Sequence, residues 1–415
     1  MTYDVLERFI RYVKIWTTSE EDIDTVPSTE QQFDLARVLK DELTSMGLVD
    51  IELSDNCFVY ATLPSNLSVE KSGKVPKIAF LAHLDTSPEE IGKDVNPQVI
   101  KNYDGNEVIL DKETNVVLSP EKTPYLKELI GHDIVTTDGK TLLGADDKSG
   151  IAEIMSAIVY LTQNPEIPHG EIRIIFSPDE EVGTGILSID MSKVNADFAF
   201  TLDGGKRGSI EWETFNAAGG TITVKGFNIH PGYAKDRMVN AIRIISEIIT
   251  EFPLDEAPET TEKKEGYYHP YTLTGSVNEA EMTFILRDFD YNKLLERKKK
   301  VEEIVIKVKT KHPKAEILLD LKESYKNMRS ILEQHPLVMD IAKEAVTNVG
   351  LTYSLESIRG GTDGARLCFM GLPTPNLFTG MANFHSKEEF ISVQDMEKAC
   401  DVILEIIKLV VEKAK

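Results

Sequence analysis

The segment that decides the fold of this chain is residues 77–85, KIAFLAHLD, an almost uninterrupted apolar run that ends in polar residues. Two further segments have the same character, EIRIIFSPD (171–179) and DFAFTLD (197–203). Runs of this kind are typical of strands covered on both faces. Between them lies SGIAEIMSAIVYLTQ (149–163), whose apolar residues recur at helical spacing. Strands that alternate with helices predict an α/β domain with a mixed, largely parallel sheet flanked by helices.

The pattern changes after the flexible stretch GGKRGS (204–209). The next strands are expected in EWETFNA and GTITVKG, followed by a helix, two strands, a charged helix and a last strand. This order predicts a small antiparallel sheet with two helices on one face. The α/β pattern returns near Tyr325. We therefore expect an inserted α+β domain, residues 211–323, between two parts of a larger domain, residues 1–210 and 324–415.

Composition excludes several classes of protein. The chain has 415 residues, of which 41% are hydrophobic and 28% charged, as in ordinary globular proteins. Its 46 Lys and Arg residues against 69 Asp and Glu residues leave a net charge of −23. Such a charge repels phosphate backbones and anionic lipid, so neither nucleic acid nor membrane is expected as a partner. Solubility alone is the preferred explanation of the acidity, and attraction of cationic substrates or metal ions is the alternative.

Cysteine usage and the first residues indicate a cytoplasmic location. Cys57, Cys368 and Cys400 are far apart and odd in number, which favours reduced thiols. The first sixteen residues interleave charged and apolar positions, so they lack the apolar region of a signal peptide. No apolar run reaches the roughly 18 residues that a spanning helix needs.

The end of the first strand carries the first candidate metal ligand. His83 and Asp85 are two residues apart, so their side chains point to the same side of a strand. An imidazole binds zinc through one nitrogen while a carboxylate holds the other N–H group. Taken alone, this pair is more typical of an ordinary histidine at a strand end.

Carboxylates follow at other element ends. Asp146 and Asp147 precede the helix 149–163, where one aspartate could cap the helix while the other coordinates; we expect Asp146 to be the ligand. The two glutamates of PDEE (178–181) follow a buried strand, and one of them needs a cation or a proton. Asp203 ends another strand, at the edge where open α/β sheets collect ligands.

Together these residues predict a two-metal site. Two ions about 3.5–4 Å apart need a bridging carboxylate and further ligands for each ion. Asp146 can bridge, with His83 and Asp203 on one ion and Glu181 and His385 on the other. Nitrogen and oxygen donors without thiolate suit zinc, cobalt or manganese.

The sequence also resembles a known family, peptidase T. Its members are the tripeptide aminopeptidases of the dinuclear zinc peptidase and deacylase superfamily. The motifs that carry the resemblance span nearly the whole chain. They are AHLDTSPE (82–89), TTDGKTLLGADDKSGIAEIM (136–155), SPDEEVGTG (177–185), LDGG, FNAA (215–218), NIHPGYAK (228–235), MVNA, ILRDFD (285–290), IRGGTDGA (358–365), MGLPTPNLFTG (370–380) and NFHSKEEF (383–390).

The resemblance implies a zinc exopeptidase-like fold with a lid and adds catalytic roles. Glu180 becomes the general base that takes a proton from a water activated by two metal ions. Asp85 orients His83, and His230 in the lid donates to the oxyanion. Without the resemblance, His230 would be a loop histidine stiffened by the proline that follows it.

Substrate contacts are implied less specifically. Arg359 and Arg287 are candidates for the substrate's terminal carboxylate, because a guanidinium grips a carboxylate with two hydrogen bonds. Either could instead form an ordinary salt bridge. Asn383 is a candidate ligand for the amino terminus of the peptide.

The resemblance thus implies a cytoplasmic two-zinc enzyme, with Co²⁺ or Mn²⁺ as substitutes, that removes the N-terminal residue of tripeptides and could form a homodimer. A carboxypeptidase or an acyl-amino-acid deacylase would share the metal ligands. A noncatalytic peptide-binding protein is the rival from another class, but it would have no need for a base at Glu180.

Overall fold

The computed structural model describes residues 3–414, which contain two compact units. The large unit comprises the residues up to Trp212, Met328–Glu356 and the residues from Thr362 onward; the small unit comprises Glu213–Asn327 and Ser357–Gly361.

The strands are, in chain order, β1 (Val49–Leu53), β2 (Val59–Leu63), β3 (Ile78–His83), β4 (Gln98–Ile100), β5 (Val108–Asp111), β6 (Val116–Leu118), β7 (Ile134–Thr136), β8 (Ile172–Ser177), β9 (Phe198–Gly204), β10 (Ser209–Thr214), β11 (Asn216–Lys225), β12 (Tyr267–Gly275), β13 (Glu279–Asp288), β14 (Glu316–Tyr325), β15 (Ser354–Ile358), β16 (Asn376–Phe378), β17 (Met381–Ala382) and β18 (Phe390–Ser392). The α-helices are α1 (Val5–Tyr12), α2 (Gln32–Ser45), α3 (Val69–Ser72), α4 (Ala145–Gln163), α5 (Met191–Val194), α6 (Ala241–Thr250), α7 (Tyr291–Lys311), α8 (Arg329–Leu332), α9 (Pro336–Asn348), α10 (Asp363–Phe369) and α11 (Val393–Lys413).

The large unit is built on an eight-stranded sheet in the order β1-β2-β8-β3-β9-β16-β10-β15. Its centre is parallel, since β3 pairs in parallel with both β8 and β9, and β9 pairs in parallel with β16. Helix α4 packs against β3 and β9, and side chains of α5 and α10 join a separate cluster with Ala79 and Leu81 of β3. Burial on both faces explains why these strands are apolar throughout. The predicted mixed sheet flanked by helices is confirmed.

The small unit contains a four-stranded antiparallel sheet in the order β12-β13-β11-β14. Alternate residues of β11 and β13, such as Ile222 and Phe284, share one apolar core with Ile245 of α6 and Val301 of α7. Both helices therefore cover the same face of the sheet. The predicted small antiparallel sheet with two helices is confirmed.

One strand assignment is wrong. EWETFNA was expected to be a strand of the small sheet, but its first half belongs to β10, which pairs with β16 in the large sheet. The chain leaves that sheet at Phe215, whose buried ring lies 4.3 Å from the ring of Phe289, and β11 begins with the next residue. Alternating residues predict a strand but cannot tell which sheet it joins.

Among residues 3–414, none of the helices combines the length and the apolar character that crossing a bilayer requires.

Candidate active site

The candidate site lies where the parallel strands of the large unit end. His83 is the last residue of β3, and Asp203 is the last residue but one of the neighbouring strand β9. Glu180 and Glu181 follow the end of β8, and Asp146 lies at the start of α4. The carboxyl ends of parallel strands share one edge of a sheet, so residues that are far apart in sequence meet there.

Asp146 lies between the two candidate histidines. Its Oδ1 is 2.9 Å from Nε2 of His83, and its Oδ2 is 3.4 Å from Nε2 of His385. His83 Nε2 is also 3.6 Å from Asp203, and His385 Nε2 is 2.8 Å from Glu181. One carboxylate thus offers an oxygen to each of two clusters, which is the arrangement predicted for a bridging ligand.

Glu180 joins the first of these clusters. Ligand atoms of His83, Glu180 and Asp203 lie within 4.8 Å of one another, as do those of His83, Asp146 and Glu181. The structure therefore brings together all five predicted metal ligands and the predicted base.

Asp147 is structural, as expected for one member of the aspartate pair. Its Oδ2 accepts the backbone N–H of His83 at 3.0 Å, and its Oδ1 accepts that of Gly150 at 3.2 Å. A Cβ at Gly150 would stand 1.9 Å from the carbonyl oxygen of Leu202, so only glycine lets α4 approach β9 this closely. Asp147 thereby fixes the end of β3 against the start of α4.

Asp85 has a second task that its spacing did not predict. Its two carboxylate oxygens accept the backbone N–H groups of Glu180 and Glu181 at 3.0 and 3.2 Å. The Nδ1 atom of His83 is closer to the backbone carbonyl of Asp85, at 3.0 Å, than to its carboxylate, at 3.4 Å. Because a carbonyl only accepts, Nδ1 carries the hydrogen there and leaves the Nε2 lone pair for a metal.

Asp179 anchors the turn that carries both glutamates. Asp179 is fully buried, with the backbone N–H and hydroxyl of Ser28 and the amide of Gln32 all 2.6 Å from its carboxylate. This role was missed, since its donors lie about 150 residues away in sequence.

Burial and neighbouring charges shift the pKa values of the groups in this cluster. Burial raises the pKa of Glu181 to about 8 and that of Asp203 to about 7, and the charge of Asp146 adds to both shifts. Burial likewise raises the pKa of Glu180 well above its usual range. Burial opposes the protonation of His385, yet its hydrogen bonds to Asp146 and Glu181 raise its pKa to about 11. Carboxyl groups packed this closely disfavour one another's charged form, and a cation between them would offset that repulsion.

The donor set fits divalent metal ions. The Oε1 atom of Glu181 is buried without a hydrogen-bond partner among the described residues, as a vacant ligand oxygen would be. Imidazole and carboxylate donors without thiolate suit zinc, cobalt or manganese.

Asn383 supports its own loop. Its side-chain nitrogen donates to Oγ1 of Thr123 at 2.9 Å and to the carbonyl of Glu388 at 3.3 Å. These bonds close the turn that carries His385, whose backbone has a φ of 60°.

The other predicted residues belong to the small unit. His230 is exposed, and its Nδ1 accepts the N–H of Gly232 at 3.2 Å. Arg287 lies over the ring of Tyr325 at 5.1 Å, and its only hydrogen bond among the described residues is a long one of 3.4 Å to a neighbouring carbonyl.

Arg359 is more fully engaged. Its guanidinium donates to the carbonyls of Lys263 and Glu265, at 2.6 and 3.1 Å, and to Oγ1 of Thr261 at 3.1 Å. It also lies over the rings of Phe215 and Tyr267.

Comparison with known proteins shows the family to which the chain belongs. The chain is 50% identical over 414 residues to peptidase T of Geobacillus kaustophilus, covering 100% of both chains. The chain belongs to the peptidase T family. As a peptidase T family member it is a peptidase, a hydrolase that acts on peptide bonds. Residues 212–316 also match the model of the peptidase dimerisation domain.

Solved structures share the fold of this peptidase T family member. It resembles the aminopeptidase PepT of Bacillus cereus with a TM-score of 0.74 and 24% identity, covering 99% of this chain and 98% of that one. A tripeptidase of Staphylococcus aureus gives a TM-score of 0.76 at 22% identity, with coverage of 99% and 98%. A dinuclear metal-binding peptidase of the M20 family from Bacillus subtilis gives 0.65 at 14% identity, with 98% coverage of both.

Proposed function

We propose that this protein is an aminopeptidase that removes the N-terminal residue of tripeptides with the help of two divalent metal ions. The observation that carries the proposal is the position of Asp146, which directs one oxygen toward His83 and the other toward His385. Its membership of the peptidase T family supports the substrate class, as do the aminopeptidase and tripeptidase names of its structural neighbours.

Five residues would hold the ions. His83 and Asp203 would bind one ion, Glu181 and His385 the other, and Asp146 both. Zinc is the metal that we propose, with cobalt or manganese as substitutes. Bound ions would supply Lewis acidity, which polarises the scissile carbonyl and lowers the pKa of water.

Glu180 is the proposed general base. It lies beside His83 and Asp203 without being needed for the ligand set above. Asp85 holds the backbone of Glu180, so the carboxylate stays aimed at the site. Glu180 takes a proton from the attacking water and then delivers it to the leaving amine.

The small unit would recognise the substrate, as part of a lid domain over residues 211–323 inserted between catalytic parts 1–210 and 324–415. His230 would donate to the developing oxyanion. Arg287 is preferred over Arg359 for the substrate carboxylate, because three acceptors within the small unit already engage Arg359. Asn383 of the large unit would bind the amino terminus.

A homodimer in the cytoplasm is the proposed assembly and location. The match of residues 212–316 to a dimerisation domain supports the dimer. Three buried free cysteines support a reducing compartment.

A substrate panel tests the proposal. Zinc-loaded protein would be incubated with a tripeptide, the same tripeptide with an acetylated amino terminus, the matching dipeptide and an N-acetyl amino acid. We expect the free tripeptide to be cleaved fastest, with the N-terminal amino acid as the first product. Release of the C-terminal residue first would indicate a carboxypeptidase, and turnover of the N-acetyl amino acid alone would indicate a deacylase. Either result would contradict the proposal, and so would the absence of any turnover, expected of a peptide-binding protein.

A further inference from the structure

A buried carboxylate outside the proposed ligand set lies four residues after His385. Glu389 is only 1% exposed, and its carboxylate accepts three backbone hydrogen bonds. Its Oε2 accepts from the N–H groups of Leu143 and Gly144, at 2.7 and 2.8 Å, and its Oε1 accepts from Asp146 at 3.0 Å. A single side chain thus binds the end of the loop that leads into α4 and the start of that helix.

Glu389 is not among the candidate metal ligands. Its two oxygens are occupied by N–H groups of a fixed loop, and neither group of candidate ligand atoms contains it. Its own backbone is fixed too, since Oγ1 of Thr136 in β7 donates to its carbonyl at 3.0 Å. A carboxylate held in this way acts on the residues around it.

The bonds of Glu389 join two proposed ligands. On one side it holds the peptide N–H of Asp146. On the other side it belongs to the turn of His385, where its N–H donates to the carbonyl of Ser386 and the hydroxyl of Ser386 donates to the carbonyl of Asn383. Glu389 therefore connects the backbone of Asp146 to the turn of His385. The side chains of these two proposed ligands lie 3.4 Å apart.

We infer that Glu389 is a positioning residue that fixes the distance between Asp146 and His385 and so sets the affinity of the site for divalent ions. This inference rests on the proposed function.

Two substitutions test the charge of Glu389 and the length of its side chain separately. Glu389→Gln keeps the length of the side chain, but an amide nitrogen cannot accept, so at least one of the three N–H groups loses its acceptor. Glu389→Asp keeps the charge but withdraws it by one methylene group. Loss of an outer partner of a metal ligand commonly weakens metal binding by about 10- to 100-fold.

The test measures metal binding directly. Metal-free full-length wild type and both Glu389 variants would be titrated with Zn²⁺ against a chromogenic chelator, and the visible spectra of the Co²⁺-loaded proteins would be recorded. The matched control is Glu153→Gln, because Glu153 is a fully buried glutamate of α4 whose oxygens have no hydrogen-bond partner among the described residues.

We expect both Glu389 variants to bind zinc about 10- to 100-fold more weakly and to show altered Co²⁺ spectra, whereas Glu153→Gln matches the wild type. At saturating metal the KM for a tripeptide should be unchanged. Folded Glu389 variants with wild-type zinc affinity and spectra would overturn the inference, even if they unfold at lower temperature. If Glu389→Gln does not fold, Glu389→Asp decides alone. Wild-type protein that binds no metal would overturn the proposed function and, with it, this inference.

Discussion

The two units of this protein differ in where they place charge. The small unit contains 19 Lys and Arg residues and 19 Asp and Glu residues, so it is neutral, and the whole excess of −23 belongs to the large unit. An acidic field around the large unit raises the local concentration of cations. The comparison indicates that the acidity of the chain is linked to the unit that holds the candidate metal site.

The cores of the two units also differ in how their buried carboxyl groups are paired. The small unit's core is a continuous apolar cluster of α6, α7 and the sheet, and its buried Asp288 is paired with Arg297 at 3.0 Å. The large unit buries carboxylates without a cationic partner, such as Asp147 and Glu153, whose pKa values burial raises well above the usual range. Burial without a cationic partner disfavours the charged form of a carboxyl group, so these groups hold a proton to a higher pH than usual. The small unit thus pairs its buried Asp288 with a cation, whereas the large unit also buries carboxyl groups that have no such partner.

The first prediction concerns the large unit and has the largest expected effect. Glu180→Gln should lower turnover by about 10²- to 10⁴-fold, because it removes the base. Bound zinc, measured by elemental analysis, should remain near the wild-type level. The paired variant Glu181→Gln should lose metal as well as turnover. Equal activity of Glu180→Gln and wild type would remove the base assignment.

The second prediction concerns the small unit. His230→Ala should lower kcat by about 10²-fold, because it removes a donor to the oxyanion, and it should leave the zinc content unchanged. His269→Ala, which changes another histidine of the small unit, serves as control and should behave like wild type. Loss of metal from His230→Ala would contradict the separation of roles between the units.

The third prediction separates the two arginines. Arg287→Ala should raise the KM for tripeptides by roughly 10- to 150-fold, since a charged hydrogen bond contributes about 1.5–3 kcal/mol. Arg359→Ala should leave KM nearly unchanged and lower the thermal stability of the protein, because Arg359 holds the loop around Lys263 and Glu265. The reverse pattern in steady-state kinetics and thermal unfolding would exchange their roles.

The fourth prediction concerns stability alone, because Glu153→Gln should leave turnover unchanged. The folded-state pKa of Glu153 is raised by burial, so the folded protein retains a proton that the unfolded chain releases near pH 4.3. Its contribution to stability is complete below that pH and is lost as the pH rises toward the folded pKa, by about 1.4 kcal/mol per pH unit. Glu153→Gln should therefore gain stability over wild type as the pH rises in urea denaturation. A difference that is independent of pH would show that Glu153 does not titrate as the structure indicates.

The sequence predicted those residues whose local pattern reveals their position. His83 and Asp203 each end an apolar strand, and parallel strand ends meet at one edge, so their convergence followed from the fold class. The sequence alone provided no physical reason to prefer Asp146 over Asp147 as the metal ligand. The structure supplies one, because the carboxylate of Asp147 already accepts two backbone N–H groups.

Other roles could not be predicted because they depend on distant partners. In NFHSKEEF, Glu388 and Glu389 are equivalent by pattern, and only the fold brings the loop at 143–146 to Glu389. The acceptors of Arg359 lie almost 100 residues earlier, so an engaged arginine and a free one look the same in sequence. Strand β10 was misassigned for a similar reason, since its partner β16 lies more than 160 residues away.

The proposed two-metal site is tested most directly by anomalous diffraction at the zinc edge from crystals of the zinc-loaded protein. We expect two zinc ions per chain, both in contact with the carboxylate of Asp146, one beside His83 and the other beside His385. A single ion, or ions bound away from Asp146, would contradict the proposed site.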